Sequence, residues 1–397
     1  MNRVVVSGMG IISSIGMTIP EFLEALIEGK SGFKKVKRIN TSEYRTDVAG
    51  EVDKWIYKEH IYDRCLTFLE DAVEQAVADA SLDNSTLSSG NRVGVAVATS
   101  VGSADALETF INAQLQGKEV SAEMLELVPH NIPCGFVAEK YNIQGPCVSL
   151  DTACASGTNI IGYAYDLVKN GVCDIVIAGA VDIISKLSFS GFSSMMNITK
   201  DICRPFDQNR SGLLLGEGCG IAIIESMEYA KARGAEIYGE ILGYGLSNDA
   251  FHETKPDPKG RGAVLAMEMA LDQAKVKPEN INYINAHGTG TKTNDLMELE
   301  AISKVFGEHT KKLKISSIKG TVGHNLGAAG AVEFVTTMLA VWKDVAFPTL
   351  NLINKMEPYG DWDFVPEKPK PSVMEYAISN SFGFAGNCSS IVVGKYV

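Results

Sequence analysis

The segment DIVIAGAVD, residues 174–182, is apolar at every position between its two aspartates. A strand with one face in water alternates polar and apolar side chains, so an unbroken apolar run marks a strand covered on both faces. Helices layered on both sides of a sheet supply that cover. Other short apolar or β-branched runs are VVVSG near the start, RVGVAVATS, GIAIIE, EIYGEILGYG, INYINAHG, KISSIKG, AISNSFGFAG and SSIVVG. Helical stretches such as 20–29 and 65–80 separate them, and this alternation predicts a layered α/β fold. The 397 residues allow either two or three domains or one large composite core. No linker or low-complexity segment interrupts them, which favours the composite core. The best internal seam is ESMEYAKARGAEIYGE, which divides the chain into residues 1–235 and 236–397. No residue-level repeat accompanies it.

Composition excludes several classes of function. A net charge of -12 and a pI near 5.1 repel nucleic-acid phosphates and anionic membranes. An acidic partner must therefore find a local basic patch. The richest is Lys34, Lys35, Lys37 and Arg38, with Lys54, Lys58 and Arg64 further on; it reads equally well as a solvated face. The start of the chain shows no long apolar signal region, and no uncharged apolar stretch reaches membrane-spanning length, so a cytoplasmic protein is expected. Eight scattered cysteines form no C-x-x-C pair and read as reduced thiols, with no metal cage. Gly8 and Gly10 follow the first strand, but Ser13 stands where a dinucleotide fingerprint needs its third glycine.

Three segments carry chemistry. In GPCVSLDTACASGTNIIGYAYDLVKNG a strand runs into a helix expected to start near Ala153, placing Cys154 in its first turn. Unpaired backbone N–H groups and the positive helix end would lower the thiol pKa there. Ala153, Ala155, Ser156 and Gly157 would leave room for a substrate; the alternative is an inert buried thiol. In YINAHGTGTKTND a strand delivers His287 to a loop rich in glycine and threonine. In KISSIKGTVGHNLGAAGAVEFVTTMLAVW another strand leads through Lys319 and Gly323 to His324. Loop histidines are often merely structural, yet these two occupy equivalent strand exits. One thiol and two imidazoles suit acyl transfer and carbanion chemistry. A cysteine hydrolase would pair its thiol with a single histidine.

These segments, with VSGMGIISSIG, RPFDQNRSGLLLGEG and NSFGFAGN, resemble the β-ketoacyl-acyl carrier protein synthases of elongating type in the thiolase-like superfamily. The likeness spans essentially the whole chain. It implies a five-layered α-β-α-β-α core of two duplicated halves, a dimer, and decarboxylative condensation of an acyl group with a malonyl group. Both substrates would arrive as phosphopantetheine thioesters on acyl carrier protein, with no other cofactor and no metal. By the same resemblance Cys154 is the acylated nucleophile. His287 and His324 promote decarboxylation, and Lys319 with Glu333 supplies supporting electrostatics. The backbone N–H groups of Cys154 and Phe384 form the oxyanion hole, and Phe384 gates the acyl pocket. Thr289, Thr291, Met195 and Met196 are expected at the substrate; Lys54, Lys58, Arg64 and Arg204 are expected at the docked carrier.

The chain departs from the family pattern at Ala385, Asn387 and Cys388 near its end, and at Ser211 and Leu213. GTKTND and SSIKGTVGH look closer to aromatic or polyene polyketide ketosynthases, which would make a homologous subunit lacking the cysteine a partner. Three alternatives stay open: a CoA-dependent thiolase with Cys388 as second cysteine, a non-catalytic chain-length partner, and a hydrolase.

Overall fold

The computed structural model describes residues 1–53 and 63–397, so Lys54 and Lys58 lie outside the described residues. Its main sheet contains β1 (Val4–Ile12), β2 (Val93–Ala98), β3 (Cys147–Val148), β4 (Ile175–Asp182) and β5 (Gly218–Ser226) from the first half. The second half supplies β6 (Gly239–Asn248), β7 (Tyr283–Asn285), β8 (Lys314–Ser316), β9 (Tyr376–Phe382) and β10 (Asn387–Gly394). Strand β4 is buried along its full length, as its apolar run requires.

The strand order is β8-β7-β9-β10-β6-β1-β5-β4-β2-β3. Each strand of the first half pairs as the strand five places later pairs in the second. The β1/β5 and β6/β10 pairs are antiparallel, as are β4/β5 and β9/β10. The β2/β4 and β7/β9 pairs are parallel, as are β2/β3 and β7/β8. This is a duplicated topology. The two half-sheets meet where Val4–Val6 of β1 pair antiparallel with Gly239–Ile241 of β6.

Helix α1 (Arg64–Asp79) covers β1 and β5 from outside, and α3 (Arg261–Ala274) covers β6 and β10 in the same way. Between the half-sheets lie α2 (Ser156–Lys169) and α5 (Ala329–Lys343), which touch each other and strands of both halves. The result is five layers, helix–sheet–helix–sheet–helix. A Cβ on Gly157 would sit 2.4 Å from the Ala331 nitrogen, and one on Gly330 would sit 2.4 Å from the Thr158 hydroxyl. Gly157 thus serves the crossing of the central helices, not substrate access, because any side chain there would force the layers apart. Leu326–Lys343 is apolar and long enough to span a bilayer, but 89% of it is buried inside the fold, which makes it a core element.

Candidate active site

Cys154 sits on a tight elbow between β3 and α2. Ala153 adopts a left-handed conformation at φ 51, a sparsely populated region for a residue with a Cβ. The Ser156 hydroxyl closes the turn, donating to the Ala153 carbonyl at 2.6 Å and accepting from the Thr152 N–H at 2.8 Å. Helix α2 begins at Ser156 with Ala155 as its cap, so Cys154 precedes the helix instead of occupying its first turn. The glycine of SFGFAG explains the approach of the opposite wall: a Cβ on Gly383 would lie 3.1 Å from the Cys154 nitrogen. That approach directs the backbone N–H groups of Phe384 and Cys154 at the sulfur.

The expected low thiol pKa is overturned. Burial pushes the Cys154 thiol up to about 12, outweighing the lowering by Lys319 and by the two N–H groups, while Asp182 adds to the rise. Dipoles stabilise a thiolate by modest amounts, whereas removing an anion from water costs more.

Both histidines are buried, and their rings meet edge to face with centroids 5.4 Å apart. His287 leaves β7 on a loop whose N–H groups, from His287 and Gly288, donate to the Glu298 carboxylate at 2.8 and 2.7 Å. Glu298 lies on α4 (Lys292–Phe306), and burial pushes its carboxyl up to about 7. The Lys319 ammonium donates to His287 Nδ1 at 3.2 Å, to the His287 carbonyl at 2.6 Å, and to Glu333. Three N–H donors therefore meet three acceptors. The Nδ1 of His324 accepts from the Leu326 N–H at 3.1 Å. With each Nδ1 accepting, the remaining proton of each neutral ring is on Nε2. Burial, reinforced by Lys319, holds both imidazoles well below their ordinary pKa, and His324 further lowers that of His287.

Cys154, His287 and His324 line one cavity of about 290 Å³, together with Thr289, Thr291, Met195 and Phe384. A second, apolar cavity of about 180 Å³ adjoins it and shares Cys154, Phe192, Met195 and Phe384. The Phe192 and Phe384 rings stack at 5.6 Å between the two.

Several expected site residues fall elsewhere. Arg64 is buried against Glu217, its side chain only 3% exposed, so it cannot receive a carrier; a guanidinium inside a core needs its carboxylate there. Arg204 is paired with Asp201. Met196 is 65% exposed and accepts from Arg45, outside both cavities, while its neighbour Met195 turns inward. The patch at Lys34, Lys35 and Arg38 is paired with Asp53, Asp47 and Asp105. Cys388 is buried beside Gly262 of α3 and lines neither cavity, which removes it as a second catalytic thiol.

Asp182, Glu298 and Phe192 went unnoticed in the sequence. Asp182 ends β4 and accepts from the Thr99 hydroxyl and from the N–H groups of Ser100, Val101 and Gly327. It thereby ties two loops beside the cavity, and burial pushes its carboxyl up to about 6.

The duplicated five-layer core, with a cysteine elbow in one half and two histidine loops in the other, defines a thiolase-like acyl-transfer enzyme. Residues 1–230 match the N-terminal domain of beta-ketoacyl synthases and residues 238–353 match the C-terminal domain. The chain belongs to the beta-ketoacyl synthase family and is a condensing acyltransferase. It is 37% identical to 3-oxoacyl-[acyl-carrier-protein] synthase 2 of Staphylococcus aureus over 99% of this chain and 98% of that one. It is 38% identical to the enzyme of the same name from Synechocystis, with the same coverage. Among solved structures it resembles an ishigamide ketosynthase/chain length factor, with a TM-score of 0.95 and 32% identity over the whole of both chains. A type II polyketide acyl-carrier protein in complex with its hexaketide-bound ketosynthase gives 0.93 and 32%, again over both whole chains.

Proposed function

We propose that this chain elongates an acyl group by decarboxylative condensation, with Cys154 as nucleophile and His287 and His324 as the enolate-binding pair. The observation that carries the reading is the convergence on one cavity of the Cys154 sulfur, two backbone N–H groups and two neutral imidazoles bearing protons on Nε2.

In the first half-reaction the Cys154 sulfur attacks an acyl thioester, and the thiol proton ends on the departing carrier thiol. The two N–H groups stabilise the oxyanion. In the second, the bond from the malonyl α-carbon to its carboxylate breaks and carbon dioxide leaves. The electron pair enters an enolate whose oxygen accepts from His287 and His324 Nε2–H. That enolate attacks the acyl-Cys154 carbonyl, forming the carbon–carbon bond and expelling the thiolate, which takes a proton from solvent. The steps balance without an added oxidant, reductant or metal, so no cofactor is required beyond the phosphopantetheine arms of the carriers. Lys319 and Glu333 support His287, the Phe192–Phe384 stack separates the chamber of the incoming thioester from that of the bound acyl chain, and Thr289 and Thr291 line the thioester path. We take residues 1–235 and 236–397 as the two halves and the cytoplasm as the location.

The partners follow from the same reading: an acyl carrier protein, and a second subunit that is a copy of this chain or a chain-length factor as in the ishigamide assembly. Carrier docking through Lys54 and Lys58 is retained. The pathway is fatty acid or type II polyketide synthesis, and native mass measurement, showing one subunit type or two, separates a homodimer from a chain-length-factor pair. Cys154→Ala should abolish condensation, and Cys154→Gln should still release carbon dioxide from malonyl carrier. Ketoacyl product from Cys154→Ala would overturn the assignment.

A further inference from the structure

The ring of His324 is aimed by a strained turn. Its backbone is fixed from the first half of the chain: the His324 N–H donates to the Leu214 carbonyl at 2.8 Å, and the His324 carbonyl accepts from the Gly216 N–H at 2.9 Å. Only the rotation of the side chain is left to set, and the Leu326 N–H sets it by donating to Nδ1 at 3.1 Å. Leu326 adopts a left-handed conformation at φ 54, which a residue with a Cβ keeps only where the surrounding structure holds it.

The hold comes from Asp182, buried at the end of β4. Its Oδ1 accepts from the Thr99 hydroxyl and from the N–H groups of Ser100 and Val101 at 2.6, 3.0 and 2.9 Å. Its Oδ2 accepts from the Gly327 N–H at 2.6 Å and shares the Ser100 N–H at 3.1 Å. Each of these partners donates, so both oxygens must be acceptors. Gly327 permits the close approach: a Cβ there would lie 2.7 Å from Oδ2 and 2.3 Å from the Ser100 hydroxyl. That hydroxyl donates at 3.1 Å to the carbonyl of Ala153, the residue before Cys154. One carboxylate thus stands between the cysteine elbow of the first half and the histidine loop of the second. We propose that Asp182 is a positioning residue for His324, whose ring it aims by holding the Leu326–Gly327 peptide on Oδ2. The inference rests on the proposed function, since it requires that His324 act on the malonyl group and not in acylation.

Asp182→Asn tests this without emptying the site. An amide keeps one acceptor oxygen and puts donors in place of the other. Turning its nitrogen to the three donors on Oδ1 would break three bonds, so it should face Gly327 and break that one. Carbon dioxide release from malonyl carrier should fall roughly 10- to 100-fold, the scale of a misplaced catalytic group, with KM for that substrate little changed. Acylation of Cys154 by an acetyl thioester, read by intact mass, should keep the wild-type rate. Gly327→Ala forces the same contact apart and should reproduce the split, and the double variant should be no slower than the slower single variant. A folded Asp182→Asn enzyme with wild-type carbon dioxide release, or one slowed equally in both half-reactions, overturns the proposal. So do losses that multiply in the double variant, which would put the two residues on separate routes. If Asp182→Asn does not fold, Gly327→Ala decides by showing the split or lacking it. If His324→Ala releases carbon dioxide as fast as the wild type, the role given to His324 falls, and that of Asp182 with it.

Discussion

Lys319 donates to His287 Nδ1 at 3.2 Å and reaches Glu333 with the same ammonium, at a point where both charged side chains are only 1% exposed. The pair fixes the tautomer of the His287 imidazole. An ammonium beside Nδ1 forbids a proton there, so Nε2–H faces the cavity. Lys319→Met should cut malonyl decarboxylation about 100-fold or more, the usual scale for losing an oriented oxyanion donor. Acylation of Cys154 should persist. The single variant also strands Glu333 in the core, at a cost of about 3–5 kcal/mol. The double variant Lys319→Met, Glu333→Leu should recover most of that stability in urea unfolding and none of the carbon dioxide release. Recovery of both would show that the pair serves the core alone.

Cys154 is a protonated thiol near neutral pH, because burial pushes its pKa to about 12. Each unit of pH below that value removes nine-tenths of the remaining thiolate. Alkylation of Cys154 by iodoacetamide should therefore rise about tenfold per pH unit from pH 7 to 9.5 without a plateau. A plateau beginning below pH 8 would mean that the helix end and the two N–H groups outweigh burial.

That reversal shows where sequence reasoning stops. The elbow and the two histidine strand exits were legible because each is a local pattern beside a recognisable strand, whereas the pairing of Lys319 with Glu333 came from the family resemblance alone. The layered class was legible from runs such as 175–181. The duplication came from the family resemblance alone, with no residue-level repeat behind it, since it lives in pairing order and not in residue identity. The sign of the thiol shift depends on how completely distant elements cover the sulfur. Arg64 failed for a similar reason: a cation next to lysines looks like surface until Glu217, 153 positions away, is found against it. Glu298 could have been found, since Asp295, Glu298 and Ile302 share one helix face and all three are buried. A carboxylate on a buried stripe needs partners from outside its helix.

Glu298 is a positioning residue, and its test must distinguish position from fold. Its two oxygens receive the N–H groups of His287 and Gly288. Glu298→Gln keeps one acceptor oxygen and should lower kcat for condensation by roughly tenfold with little change in KM, on the scale of one hydrogen bond to a charged group. Acylation of Cys154, which does not use His287 in the proposed course, should be unchanged. A variant equally slow in acylation would reveal a general loosening of the site.

The two buried imidazoles set an acid limit on stability. Both stay neutral in the fold because burial and Lys319 hold their pKa far down, while in the unfolded chain each titrates near 6.5. Below that pH the unfolded state binds protons that the folded state refuses, so stability falls as pH falls. Glu298 and Glu333, both pushed up to about 7, act in the opposite direction. Between about 4.5 and 7 the folded state holds protons that the unfolded carboxylates have released, so their contribution shrinks as pH rises. The histidine term is isolated by His324→Asn, which removes one imidazole and no carboxylate. Between pH 6.5 and 5.5 the variant should lose about 1 kcal/mol less unfolding free energy than the wild type, close to the limit of one proton per pH unit. Parallel curves would mean that His324 is protonated inside the fold, and it could then not accept from the Leu326 N–H as its geometry requires.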